Sequence, residues 1–374
     1  MSGISVPSPD TILVSRSPGE TRYALLEGET VVEVRHVRDG VLQPGAVYAA
    51  RAGARMPNGK ALFVDIGDAA AAVLPVKHMP SQGAALAVEV MVPARAGKGA
   101  ELKASGVKIP HDAKVPSVLR AAPEPVGTWF DCYSDGIARI VCAPRAEASR
   151  VKAVLSGAPI EEHAGSEDVF AAYGVDAAIE AALQPCVALP CGGGIMIEST
   201  AAVTAIDVNA GPAEPRLANT EAIDAAARAL RLRNIAGHIV LDIIPSKRRS
   251  DLAQDMETAL AADPTRAHVA GLTPLGMIEL TRQRIGLSLA ETLCDADGRL
   301  SAASIGYRLL RGAVRFAQAG KVASVRAAAA PDVVALLQGP LRPALIEAED
   351  MIKGGIQLMA RAGTTRERFD IEKA

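Results

Sequence analysis

Two apolar runs, VTAIDVNAGP at residues 203–212 and GHIVLDIIPS at residues 237–246, each carry one aspartate, and the segment between them, NTEAIDAAARALRLRN, repeats its apolar residues at helical spacing. No other feature constrains the chain so tightly. A strand, a helix and a second strand in that order form a right-handed crossover, which lays the two strands parallel and side by side. Asp207 and Asp242 then converge at the carboxyl edge of one sheet, where open α/β sheets bind ligands. Side chains alternate along a strand, so Ala205, Asp207 and Asn209 share one face while Ile206 and Val208 take the other. Asp242 sits in a run apolar on both faces, the pattern of a central strand in a covered sheet. The expectation is that both carboxylates are buried, which costs several kcal/mol unless each is paired, hydrogen-bonded or bound to a metal.

Two converging carboxylates make a site for a hard cation. Magnesium takes one or two protein carboxylates and leaves its other positions to water and phosphate oxygens. That combination suits metal-assisted phosphodiester hydrolysis, with Asn209 orienting a ligand or water. The structural alternative is that Asp242 bonds loop amides at a strand end and that Asp207 and Asn209 form a turn before Gly211 and Pro212. Basic residues cluster at Arg228, Arg231 and Arg233, at Lys247, Arg248 and Arg249, at Arg282 and Arg284, and near the carboxyl end. Their bland reading is a solvated helix face, and their functional reading a grip on phosphate. No rival catalytic pattern is present: the six histidines lack H-x-x-x-H and H-E-x-x-H spacing, there is no Gly-x-Ser-x-Gly elbow, and PCGGGI reads as a tight turn because it lacks the Lys-Ser/Thr of a phosphate loop.

A chain of 374 residues predicts several domains of about 100 residues each. Hydrophobic residues make up 49% and mean hydropathy is +0.19, but no apolar run reaches the length of a membrane span. The first residues lack the basic start and apolar core of a secretion signal, so a cytoplasmic location is expected. Five cysteines without a C-x-x-C pair suggest neither a disulfide framework nor a zinc knuckle, and no zinc is expected. The net charge of −2 does not announce a nucleic-acid binder. TILVSR and TRYALLEG read as two early strands, and the β-like runs that follow predict a small barrel. A Pro-rich bridge separates the barrel from a mixed segment. TPLGMIELTRQR reads as a helix, with Thr273 as cap and Pro274 at the first position.

TAIDVNAG, NTEAIDAAARALRLRNIAGHIVLDII and LTPLGMIELTRQR together resemble the catalytic core of the RNase E/G family of endoribonucleases. The resemblance implies that Asp207 and Asp242 hold Mg2+ (with Mn2+ able to substitute), that Asn209 orients them, and that the partner is single-stranded RNA in RNA processing or decay. GKALFVDIGDAAAAVLPVK is similar to the S1 RNA-binding domain that the family inserts into an RNase H-like subdomain. That similarity implies a base-stacking role for Phe63 and an RNA contact for Lys98, with Val73 in place of a second family aromatic; from the barrel alone Phe63 is equally a core residue. Arg231, Arg233, Arg282 and Arg284 would grip the strand, and Arg266 matches a residue of the family's pocket for the RNA 5′ phosphate.

The implied fold is α/β (an α+β multidomain chain). An RNase H-like subdomain is split into a first segment over 1–30 and a second over 128–183, with an S1-like OB barrel over 31–107 and a Pro-rich bridge over 108–127, standing for a truncated 5′ sensor, between them. A DNase I-like catalytic subdomain follows over 184–290 and a small C-terminal α/β domain over 291–374. The family's C-P-x-C zinc link is absent, so a zinc-linked tetramer is not expected and a homodimer is the larger assembly allowed. Pro245 stands where the family often has another acidic residue. The competing readings are an RNA-binding protein of the same fold with weak or lost catalysis, and a phosphoesterase acting on DNA or a small molecule.

Overall fold

The computed structural model describes residues 8–374 except 58, 69–70, 96 and 247–248, and shows a mixed α/β chain with a closed five-strand barrel and several sheets. The first sheet has the order Ile160–Glu162, Arg139–Ala143, Thr11–Ser17, Glu20–Glu27, Thr30–Arg38. Its strands alternate apolar residues on both faces, so helices cover both sides. Ile12, Val14, Tyr23 and Leu25 pack with Val126 and Trp129 of the helix Pro125–Cys132 and with Val151 of the helix Arg145–Val154. Leu13, Ala24 and Leu26 face the other way, onto Phe170, Val175 and Ile179. The strand Thr30–Arg38 pairs with Glu20–Glu27 and belongs to this sheet, although the sequence pattern starts the barrel at residue 31. Glu33, Arg35, His36 and Arg38 hide its strand pattern, because their charges are matched by partners inside the fold and not by water.

The barrel closes because Val47–Arg55 pairs on one side with Ala61–Asp65 and on the other with Ala85–Val92. Ala72–Pro75 and Glu101–Ala104 complete the ring and run parallel to each other. Alternate residues fill its interior, among them Leu62, Val64, Leu74, Val88, Val90 and Leu102. The Pro-rich bridge adds a strand, Ser117–Arg120, to Val47–Arg55 and so lies against the barrel.

The third sheet has the order Cys186–Ala188, Gly194–Ser199, Thr204–Asn209, Gly237–Asp242, Met277–Arg282, Ala267–Leu272. The helix Pro215–Leu232 joins the parallel central pair, as the crossover pattern predicts. This helix and Arg249–Leu260 cover one face, burying Ile206, Ile239 and Leu241 against Ala222, Ile223, Leu230 and Met256. The other face is open: Asp207, Asn209, His238, Asp242 and Glu279 are all exposed there. The expected burial of the two aspartates is therefore corrected. On the open face Val240 is only half-buried, and its apolar side chain makes GHIVLD look covered on both sides.

TPLGMIELTRQR is not a helix. Gly276 N–H donates to the Thr273 carbonyl at 2.9 Å and Met277 N–H to the Thr273 hydroxyl at 3.1 Å, which closes a turn before the strand Met277–Arg282. Thr-Pro serves a β-turn as well as a helix start, and the alternation of Ile278, Leu280 and Arg282 with exposed neighbours decides for the strand. No described helix is long and apolar enough to cross a membrane.

Helices Ala302–Gly320, Pro331–Gln338 and Arg342–Ile352 pack on a last sheet of Ile356–Ala360, Val325–Ala329 and Asp370–Lys373. Buried ions fasten this unit to the first sheet. Glu20, 2% exposed, accepts from Arg38 Nε at 3.0 Å and Arg311 Nη1 at 3.2 Å, and His36 Nδ1 lies 3.2 Å away. Arg22, 1% exposed, binds both oxygens of Asp168 at 2.8 Å. Burial pushes both carboxyls up, but His36, Arg38 and Arg311 outweigh it at Glu20, as Arg22 and Arg311 do at Asp168, so both stay below their ordinary values of 4.5 and 3.8. Groups held low in the folded state stabilise it fully above those ordinary values, and the contribution is lost as pH falls through the lowered ones. Arg22→Leu leaves Asp168 buried without its main partner and is expected to cost about 3–5 kcal/mol. Thermal unfolding at neutral pH should show a clear drop in Tm, with less of the acid dependence remaining in the variant; an unchanged Tm would refute the role given to this pair.

Candidate functional site

In the parallel ladder Ile206 lies opposite Leu241 and Asp207 opposite Asp242. Neighbouring strands are about 4.8 Å apart, and register partners point to the same face, so the two carboxylates stand side by side on the open face. Among the described residues neither carboxylate has a hydrogen-bonding or ion-pairing partner. The loop-amide role considered for Asp242 is thus not what the structure shows. The turn role does hold for Asn209, whose Oδ1 accepts from Gly211 N–H at 2.8 Å. Its Nδ2 is without a partner among the described residues and stays available to a ligand.

The backbone around the pair is fixed by the crossover helix. Asn219, fully buried, donates from Nδ2 to the Ile244 carbonyl at 2.8 Å and accepts from Ile244 N–H at 3.0 Å, which holds the chain as it leaves Asp242. Glu221 accepts from Cys191 N–H at 2.8 Å and holds the turn on the other side. That turn meets the loop after Asn209 backbone to backbone. A Cβ on Gly193 would lie 2.3 Å from the Asn209 carbonyl oxygen, and one on Gly211, at φ +55°, would lie 2.5 Å from that of Gly192. The glycines of PCGGG therefore make a tight turn, as the sequence suggests. Asn219 and Glu221 are not singled out by sequence because a polar residue near a helix start looks solvated; their only signal is that they follow the first aspartate motif on the helix that must cross the sheet.

The structure does not bring the predicted arginines to the aspartates. A crossover helix runs antiparallel to its strands, so the carboxyl end of Pro215–Leu232 lies at the sheet edge opposite Asp242, roughly 17 Å away at about 3.3 Å per strand residue. Arg231 is buried and bonds Glu33, Tyr133 and the Ala262 carbonyl. Arg282, 2% exposed, bonds Asp263 at 2.8 Å, the Ile235 carbonyl at 2.9 Å and Asn234. Arg233 is buried without an acidic partner among the described residues, and burial lowers its pKa. Arg284 is half-buried against Glu291 at 3.0 Å. Arg266 is exposed, but it precedes Ala267, the register partner of Arg282, at the same distant edge. At the aspartate edge the first turn of the crossover helix presents an exposed Arg216, which the sequence patterns do not single out. Lys247 and Arg248 lie outside the described residues.

On the barrel, Phe63 is 37% exposed and lies opposite Val73, so it is a surface residue and does not belong to the barrel core. Lys98 is exposed in the turn that leads to Glu101, the other register partner of Val73. A cleft of about 710 Å3 opens between the barrel and the first sheet, lined by Tyr48, Trp129, Asn234 and Ile285, and includes neither aspartate. Among the described residues no group of three or more His, Cys, Asp or Glu could hold a metal. The aspartate pair offers two carboxylates, the donor set of an ion that keeps most of its waters. Replacing Asn219 with Leu is expected to leave both backbone groups of Ile244 unpaired, at about 1–3 kcal/mol, and to speed amide exchange at that residue. Exchange as slow as in wild type would show that the clamp does not hold the loop.

Residues 103–285 match the Ribonuclease E/G family. Ribonuclease E of Nostoc sp. is 40% identical over an alignment that covers 46% of this chain and 28% of that protein. Ribonuclease G of Salmonella typhimurium is 30% identical, with 57% and 47% covered, and Ribonuclease G of Haemophilus influenzae is 36% identical, with 41% and 35% covered. The alignments thus span less than half the length of each of these relatives.

Proposed function

We propose that this chain, whose residues 103–285 match the Ribonuclease E/G family, is a magnesium-dependent endoribonuclease that hydrolyses phosphodiester bonds in single-stranded RNA. The observation that carries the reading is the register of Asp207 against Asp242 on an open sheet face, with no cationic partner for either among the described residues. Two adjacent carboxylates so placed fit a hard cation, and Asp207 and Asp242 are the residues that would hold it. Magnesium bound there supplies Lewis-acid polarisation of the scissile phosphate and a water of lowered pKa. Asn209 accepts from Gly211 N–H through Oδ1, which leaves its amide hydrogens to bind an incoming oxygen. Arg216 at the same edge offers a cation to a neighbouring phosphate.

The closed barrel supports an S1-like, OB-type reading, with exposed Phe63 as a stacking platform and Lys98 beside the backbone of the strand. The strand order of the first sheet likewise supports an RNase H-like subdomain, and the aspartate sheet with its covering helices a DNase I-like one. Stacking requires unpaired bases, which accounts for a preference for single strands.

Cleavage of a labelled single-stranded RNA should require Mg2+, with Mn2+ able to replace it, and should fall by about 100-fold or more in Asp207→Asn and in Asp242→Asn. Wild type that cuts no faster than Asp207→Asn would remove the hydrolytic reading and leave an RNA-binding protein of this fold. Phe63→Ala is expected to weaken RNA binding by about fivefold or more, the loss of one base–aromatic stack, as measured by fluorescence anisotropy. Equal affinity would take Phe63 out of the RNA path.

A further inference from the structure

The open face of a one-sided sheet is ordinarily polar, and most of this one is: Glu198, Asp207, Asn209, His238, His268, Glu279 and Thr281 are exposed. The row that contains the two aspartates departs from the rule. Met196 is the register partner of Asp207 and Met277 that of Asp242, so the order across four strands is Met196, Asp207, Asp242, Met277. Met196 is 41% exposed although its neighbours Ile195 and Ile197 are buried, and Met277 is half-buried beside the turn whose tip, Leu275, is 83% exposed. Each methionine lies about 4.8 Å from its aspartate, and the whole row spans roughly 14 Å. One row further from the strand ends, Glu198 sits opposite Ala205 and Glu279 opposite Val240. With a divalent cation held by Asp207 and Asp242, Glu198 and Glu279, uncompensated among the described residues, would repel phosphate from the middle of the sheet and favour an anionic strand along the aspartate row.

We infer that Met196 and Met277 bind the two nucleobases that flank the scissile phosphate. The inference rests on the hydrolytic reading above and adds the residues that seat the substrate. An RNA strand running across the sheet strands, with one phosphate over the carboxylate pair, places the base on each side within reach of a thioether. Methionine is unbranched and polarisable, and its sulfur makes favourable contacts with aromatic rings of any identity. The two methionines bring no hydrogen-bond donor to read a base edge, so this subsite requires a base on each side without selecting which one. Leu275, at the tip of the turn closed by Thr273, adds a further exposed apolar side chain past the strand end next to Met277.

The test compares an RNA carrying a single abasic nucleotide beside the cleavage position with the intact RNA, in wild type, Met196→Ala, Met277→Ala and the volume-conserving Met196→Leu. Removal of the base is expected to reduce kcat/KM of wild type by about fivefold, and that penalty should shrink to less than about twofold in the alanine variant facing it while persisting in Met196→Leu. The same penalty in wild type and in both alanine variants would overturn the inference and leave the hydrolytic reading intact. Binding of the same RNAs to Asp207→Asn, with and without Met196→Ala or Met277→Ala, separates the two in the other direction. If wild type does not cleave, the hydrolytic reading falls, and the base-dependent coupling in binding alone upholds or overturns the role of the methionines.

Discussion

The parallel pairing of Thr204–Asn209 with Gly237–Asp242 is the constraint on which the site depends, because it alone sets Asp207 beside Asp242. A slip of one residue would send one carboxylate to the helix-covered face, where it would meet Ile223 and Leu230 instead of water. The register is held by Ile206, Ile239 and Leu241, each almost completely buried, and each worth about 1.5–3 kcal/mol when fully removed from water. The crossover helix contributes twice: its alanine-rich face lets it lie close on the sheet, and its first turns send Asn219 and Glu221 to the two loops beside the aspartates.

Much of this was legible because the hydrophobic periods are clean. The strand–helix–strand unit and the barrel follow patterns that only one kind of element satisfies. The errors fall where the same residue types serve two ends. Thr273 and Pro274 open turns as readily as helices, and the strand Thr30–Arg38 carries charges whose partners are distant in sequence. The arginines are the instructive case. Arg231 stands just before the second aspartate motif and Arg282 belongs to the third motif of the same block, yet the antiparallel run of the helix and the return of Met277–Arg282 carry them to the opposite edge, where they neutralise Glu33 and Asp263. Proximity in sequence is a poor guide to which end of a sheet a side chain reaches.

Those interior arginines reveal how the units of the chain are joined. Glu33 accepts from Trp129 in the first sheet's own layer and from Arg231 on the crossover helix, so a single carboxylate links that sheet to the site-bearing one. On its other flank the first hairpin is clasped by the last helices: Glu347 accepts from Gly19 N–H and Arg16, and Arg38 donates to Ser304 while its guanidinium lies 4.8 Å from the Tyr307 ring. The strand Thr30–Arg38 thus carries both junctions, Arg38 and His36 meeting Glu20 beside the carboxyl-terminal unit and Glu33 meeting the helix that positions the aspartates.

The backbone contact between the PCGGG turn and the loop after Asn209 has a consequence for how this rim can vary over time. At Gly193 and Gly211 a single added carbon would strike a carbonyl oxygen, so these positions are closed to drift for reasons of shape, whatever reaction the chain performs. The neighbouring exposed stretch at residues 214–217 meets no such barrier. Divergence at this edge is therefore channelled into the start of the helix, where new side chains can alter the rim without moving Asp207 and Asp242.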